Sequence, residues 1–199
     1  MNDELRQQLH FINTLEGWCS TAKAESIAQL VIDHKPRTVV ELGVFGARSL
    51  IAFGMGLRSV GHDGVVWGID PWTKEAELEG EYGTANGSWW ASLDMDAIRD
   101  GALKAIGSAG LWHWTRVIVA KGEECASMFS ELDMLHIDGN HAEQKALADA
   151  TLWYPRVRTG GIILFDDIDW PTTARAVSYL SERCNTMFDV GTCRVFQKK

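Results

Sequence analysis

Three aspartates and a histidine carry the clearest chemistry in this chain: Asp138, His141, Asp166 and Asp167. All lie in LDMLHIDGNHAEQKALADATLWYPRVRTGGIILFDDIDW, residues 132–170. Asp138 closes a short apolar run at 134–137, and Asp166 and Asp167 close a second at 162–165. A helical pattern and a Gly-Gly turn separate the runs, as expected for two buried parallel strands joined by a crossover helix. Carboxyl ends of neighbouring parallel strands share one edge, about 5 Å apart, and open α/β sheets bind ligands at that edge. If the two strands are neighbours, the three carboxylates crowd together and repel unless a cation or shared protons intervene. Consecutive strand residues point to opposite faces, so Asp166 and Asp167 reach one ion only if the strand ends near Phe165. The bland alternative is a pair of solvated carboxylates that cap the next helix.

Two upstream strand ends add candidates. A first strand over 38–42, in RTVVELGVFGARSL, leads through Glu41, Gly43 and Gly46 into an apolar helix from Ala47 to about Leu57. Glycine at a strand-to-helix turn lets a ligand approach the backbone, and a helix N-terminus offers free N–H groups. A tight turn that needs glycine explains E-x-G-x-x-G equally well. A second strand, 65–69, ends on Asp70, placed to accept hydrogen bonds from both ribose hydroxyls of an adenosyl cofactor; a turn carboxylate is the plain alternative. After a third strand at 117–120, Gly122 and Glu123 occupy a strand-end loop that either touches an adenine or is simply solvated.

The remaining elements position these residues. Leu5, Leu9, Ile12 and Leu15, then Ile27, Leu30, Val31 and His34, recur at helical spacing, so residues 3–34 form two helices, Ser20 capping the second and Pro36 stopping it. This arm shows no chemistry of its own; it covers one side of the domain or contributes to an interface in a homo-oligomer. Residues 71–90 hold three glycines and three tryptophans without sustained periodicity; a loop of that length reads as a substrate-covering lid or a structural flap. Helices follow over 91–110 and 172–183, and TMFDV and TCRVFQ form a closing hairpin around Gly191. His136 alternates within a strand as a core histidine, Trp112, Trp114 and Trp153 read as packing, and Trp170 lines an acceptor pocket.

Composition narrows the class. The 199 residues suit one domain. A net charge of −8, a pI near 5.2 and no basic run exclude a nucleic-acid backbone partner. No apolar run approaches the roughly 20 residues of a membrane span. MNDELRQQLH lacks the basic and apolar parts of a signal peptide, and Cys19, Cys125, Cys184 and Cys193 show no C-x-x-C spacing. A cytoplasmic protein with reduced cysteines is the expectation.

Taken together, VVELGVFGARSL, WGIDPW and LHIDGNH…GGIILFDDIDW resemble class I S-adenosylmethionine-dependent methyltransferases. The branch holds the macrocin-type sugar O-methyltransferases and the cephalosporin hydroxylase-like proteins, and the likeness runs over residues 37–170. It implies an α/β, Rossmann-like seven-stranded sheet, mostly parallel with an antiparallel last strand and helices on both faces. It also implies that Glu41 and Gly43 line the cofactor, that Asp70 holds its ribose, and that Gly122 and Glu123 lie near the adenine. In metal-dependent relatives a divalent cation, usually Mg2+, sits on carboxylates matching Asp138, Asp166 and Asp167, and in some members a histidine three residues after the first metal carboxylate, here His141, serves as base. The glycine loop departs from the commoner glycine-rich form, and some relatives carry Glu where Asp166 stands.

A neutral hydroxyl is a poor nucleophile, so methyl transfer to oxygen needs help with the proton. Mg2+ on three carboxylates and waters would act as Lewis acid and template, and His141 could take the proton near neutral pH. The expected activity is O-methylation of a small-molecule hydroxyl, on a glycosyl group or natural product. The competing expectations are a nicotinamide-dependent oxidoreductase, against which the absence of G-x-G-x-x-G counts, and a non-catalytic or hydroxylase-like cofactor binder.

Overall fold

Short β-branched runs flanked by glycine and charged residues form the strands β1 (Thr38–Leu42), β2 (Val65–Asp70), β3 (Thr115–Val119), β4 (Leu132–Ile137) and β5 (Val157–Phe165), followed by β6 (Cys184–Val190) and β7 (Cys193–Lys198). The computed structural model describes residues 1–80 and 85–199. One sheet runs β3-β2-β1-β4-β5-β7-β6. Its first five strands are parallel, and β7 lies antiparallel to both β5 and β6. The helices are α1 (Asp3–Leu9), α2 (Thr21–His34), α3 (Arg48–Ser59), α4 (Lys74–Glu77), α5 (Ala85–Ser92), α6 (Met95–Ser108), α7 (Gly122–Cys125), α8 (Glu143–Trp153) and α9 (Ala174–Arg183).

Period-two alternation sorts the strand residues into two cores. Val39, Val66, Met134, Ile162, Leu164 and Val195 face α1, α2, α3 and α6. Val40, Leu42, Ile69, Leu135, Ile137, Ile163, Phe165 and Phe196 face α8 and α9. Both faces are therefore covered, which is why these strands are apolar throughout. No helix among the described residues is long and apolar enough to cross a membrane.

Several boundaries differ from expectation for local reasons. β5 starts at Val157, five residues before the expected 162, because the Gly160–Gly161 pair lies inside the strand; a register shift opposite, between Leu132 and Met134, absorbs it. β3 begins at Thr115 and ends at Val119. The helix expected over 91–110 is two helices: Ala91 and Ser92 finish α5, and Asp94 restarts the chain by accepting from the Ala97 N–H of α6 at 3.0 Å. The segment 71–90 contains α4 and most of α5 rather than one loop, and its residues 81–84 lie outside the described ones. In the arm, Ser20 caps α2 as expected by accepting from the Lys23 N–H.

Candidate active site

Alternation brings polar residues onto the α2 face of the sheet. Glu41 follows Val39, His136 follows Met134 and Asp166 follows Leu164, each two residues on, and Glu41 pairs in register with His136. His136 Nδ1 thus lies 2.8 Å from Glu41 Oε1, and its Nε2 lies 2.8 Å from Asp166 Oδ2. Helix α2 completes the group: the Lys23 ammonium donates to Asp138 Oδ2 at 3.1 Å and pairs closely with Asp166 Oδ2. Glu41, His136, Asp166 and Lys23 are all buried.

Burial disfavours every charge here, so each survives through its partners. Burial pulls the Lys23 ammonium down, yet Asp138 and Asp166 hold it well above the usual lysine value. Burial and the Lys23 charge both work against protonation of His136, but hydrogen bonding to Asp166 and Glu41 brings it to about 9. Burial pushes the Asp166 carboxyl up, and Lys23 and His136 outweigh it, leaving Asp166 well below the ordinary carboxylate range. Asp138 goes the other way: burial and the neighbouring Asp166 raise it to about 6, against the opposing Lys23.

Asp167 takes the opposite direction from Asp166. Its φ of +52° turns the chain immediately after β5 ends at Phe165. Asp167 Oδ2 lies 2.8 Å from His141 Nε2, an ionic contact without hydrogen-bond alignment, and Asp138 Oδ1 stands 3.9 Å from the same nitrogen. Ligand atoms of Asp138, His141 and Asp167 all fall within 4.8 Å of one another. Burial lowers His141, and Asp167 with Asp138 reverses that to raise it above the usual imidazole value. The Trp170 ring lies 5.0 Å from the His141 ring.

The loop after β1 is held by Asp70. The N–H groups of Val44 and Phe45 donate to Asp70 Oδ2 at 2.8 and 2.9 Å, and the Trp72 N–H donates to Oδ1 at 2.7 Å. Burial nevertheless raises the Asp70 carboxyl, with these backbone donors opposing. Gly43 has φ +83°, and a Cβ there would collide with the Asp138 carbonyl; at Gly46 it would collide with the Glu16 carbonyl. Both glycines therefore serve chain packing as well as the turn.

These parts enclose a cavity of about 540 Å³ at the carboxyl edge, within the usual size for a small-molecule site. Gly43, Gly46, Asp70, Asp138, His141, Asp166 and Asp167 line it, as does Trp170. Glu41 lies below it, wholly buried, with Oε2 unpartnered among the described residues. Gly122 and Glu123 are not among the lining residues; Gly122 faces Leu42, Asp149 and Trp153, and Glu123 pairs with Lys145. Lys145 and Lys121 also grip Glu79, and the Asn140 amide donates to the carbonyls of Ala76, Glu77 and Glu79, so residues 76–79 are pinned over the β4 loop. Glu77 turns into the cavity, where burial and then Asp70 push its carboxyl up to about 8.

The arm contributes more than the cover its sequence suggests. Besides Lys23 it brings Trp18, whose ring stacks 5.2 Å from Phe45 and meets Trp89 and Trp90 edge-on to form an aromatic wall of the cavity. His136 is not a plain core histidine, because both ring nitrogens meet carboxylates. Lys23 had a readable signal: it stands four residues before Ile27 and seven before Leu30, on the apolar stripe of α2.

The sequence profile of a methyltransferase domain matches residues 40–168, whereas no curated protein sequence matches the chain. Among solved structures, the chain is similar to the S-adenosylhomocysteine-bound methyltransferase PaMTH1 of Podospora anserina, at 15% identity and TM-score 0.70, over 100% of this chain and 89% of that one. The O-methyltransferase TomG of Streptomyces achromogenes, in complex with S-adenosylmethionine, aligns at 16% identity and TM-score 0.67, covering 100% and 92%. An O-methyltransferase from Bacillus cereus in complex with S-adenosylhomocysteine aligns at 17% and 0.68, covering 100% and 92%.

Proposed function

The chain belongs to the methyltransferase-domain family, and from that premise we propose that it moves a methyl group from S-adenosylmethionine to a hydroxyl of a small molecule. The observation that carries this reading is the juxtaposition, in one cavity, of the Asp70-held loop Gly43–Gly46 with the cluster Asp138, His141 and Asp167. Two of the similar structures hold S-adenosylhomocysteine and a third S-adenosylmethionine. The cavity volume, the glycine loop that lines it and the acidic Asp70 suit an adenosyl sulfonium. S-adenosylmethionine supplies an electrophilic methyl group and departs as S-adenosylhomocysteine.

The chain's own residues handle the acceptor. His141 is the imidazole placed to accept the hydroxyl proton as the new oxygen–carbon bond forms, at Nδ1, because its Nε2 is buried against Asp167. Asp167 holds the imidazole and stabilises the imidazolium that results. Trp18, Phe45, Trp89, Trp90 and Trp170 offer flat faces and exclude water, which suits an aromatic natural product or the apolar face of a sugar.

A divalent cation fits one side of the cluster. Asp138 and Asp167 supply two converging carboxylates beside the cavity and would hold such an ion, with water completing its shell; Asp166 is engaged by Lys23 and His136 instead. The ion would supply Lewis acidity toward the acceptor oxygen.

Calorimetric titration with S-adenosylhomocysteine and with NADH tests the donor, and transfer of labelled methyl to a panel of phenols and glycosides, with Mg2+ or EDTA, tests the reaction. Micromolar S-adenosylhomocysteine binding and labelled ether are expected. NADH binding with no S-adenosylhomocysteine signal would replace this reading with the oxidoreductase.

A further inference from the structure

The geometry points to Lys23 as a resident cation of the site, a positioning residue that neutralises Asp166 and keeps it out of any divalent-ion shell. This rests on the reading of the Asp138 edge as the reaction centre, and goes beyond it by setting what that edge can bind.

The placement is specific. Lys23 lies outside the segment matched by the family profile, which begins at residue 40, so the arm brings this charge to the domain. Its ammonium is buried, lines the cavity, and touches Oδ2 of both Asp138 and Asp166. Other charged groups facing that point are His136, 2.8 Å from Asp166 Oδ2, and Glu41 behind it. A lysine on the apolar stripe of a helix is costly to bury unless it is paired; here it is paired twice. Asp138 Oδ2 faces Lys23 while Oδ1 faces His141, so Asp138 is divided between a fixed monovalent charge and the open cluster with Asp167.

Two cations cannot share this pair of carboxylates at close range without strong repulsion. With Lys23 in place, a divalent ion has the Asp138–Asp167 side alone and two protein carboxylates. Without it, Asp166 Oδ2 keeps its contact with His136, and the carboxylate's other oxygen can join Asp138 and Asp167 in a three-carboxylate site of the kind hard cations prefer. The lysine thus sets the affinity for divalent metal low and keeps a constant positive charge near the acceptor oxygen whatever the metal supply.

Mn2+ binding followed by electron paramagnetic resonance, with no donor or acceptor present, tests this directly. Lys23→Met is expected to bind Mn2+ at least tenfold more tightly than the wild type, Lys23→Arg to match the wild type, and Lys23→Met combined with Asp166→Asn to lose the gain. Structural damage alone would not raise metal affinity. Should Lys23→Met fail to fold, Asp166→Asn in the wild-type background decides: unchanged Mn2+ affinity supports the inference, and a tenfold loss overturns it. Equal affinity of wild type and Lys23→Met also overturns it. Titration of the same proteins with S-adenosylhomocysteine reports separately on the methyltransferase reading.

Discussion

His141 and Asp167 meet at 2.8 Å between Nε2 and Oδ2, joining the loop after β4 to the turn after β5. Burial alone would lower the imidazole's pKa, and the Asp167 carboxylate is the main group that reverses it. The ring should therefore titrate above the usual 6.5, and Asp167→Asn should bring it down. Proton NMR of the His141 ring across pH, in wild type and variant, checks this without an acceptor. A wild-type value at or below 6.5, or no change in the variant, removes Asp167 as the partner that tunes the base.

His136 makes stability fall toward alkaline pH. Its folded-state value is about 9, against about 6.5 for an unfolded-chain histidine. A raised histidine contributes stability that is complete below the unfolded value and is lost as pH climbs through the folded one, so the window is about 6.5 to 9. The full contribution is on the order of 3 kcal/mol, since each tenfold gain in proton affinity is worth about 1.4 kcal/mol. Urea unfolding at pH 6 and pH 9.5 should show a decline that His136→Gln reduces, the remainder coming from the raised Glu77 and Asp149 carboxyls; a decline as large in His136→Gln as in the wild type would contradict the charged imidazolium.

The strand ends were legible because their signals are local: apolar runs closed by Glu41, Asp70, Asp138 and Asp166 predict one edge, and β1, β2, β4 and β5 meet there. The division of the aspartate pair was not legible. Alternation says that Asp166 and Asp167 diverge, but the partner that claims Asp166 comes from α2, 143 residues away in sequence. Glu41 and His136 could have been paired, since both sit two residues beyond a core valine or methionine on the same face. Their neighbourhood required the strand order β1-β4, which no single motif encodes. Gly122 and Glu123 were read from their strand-end position alone, whereas their neighbours are set by distant residues: Gly122 faces Leu42, Asp149 and Trp153, and Glu123 pairs with Lys145.

Asp70 serves the loop before it can serve a ligand. Its carboxylate accepts from Val44, Phe45 and Trp72, so Asp70→Ala leaves three backbone donors without that partner. Unsatisfied buried groups cost roughly 1–3 kcal/mol each, and rearrangement of the loop will relieve part of this. A stability loss of about 2 kcal/mol in urea and at least tenfold weaker S-adenosylhomocysteine binding are expected. Unchanged binding with the stability loss present would restrict Asp70 to a structural part.

Asn140 controls the cover over the β4 loop. One amide nitrogen serves three carbonyls, at 2.9 Å to Ala76, 3.3 Å to Glu77 and 2.9 Å to Glu79, while its Oδ1 accepts from the Ala142 N–H at 2.8 Å. Shared donors of this kind hold a segment through one side chain, so removing it frees the segment without touching the core. Asn140→Ala should raise hydrogen exchange at the Leu78 amide, which bonds within the pinned turn to Lys74, by about tenfold, the equivalent of 1.4 kcal/mol. Core amides in β1 and β4 should keep their wild-type protection. If Leu78 exchange stays unchanged, the two lysines around Glu79, rather than Asn140, hold the cover down, and Lys121→Ala with Lys145→Ala should then release it.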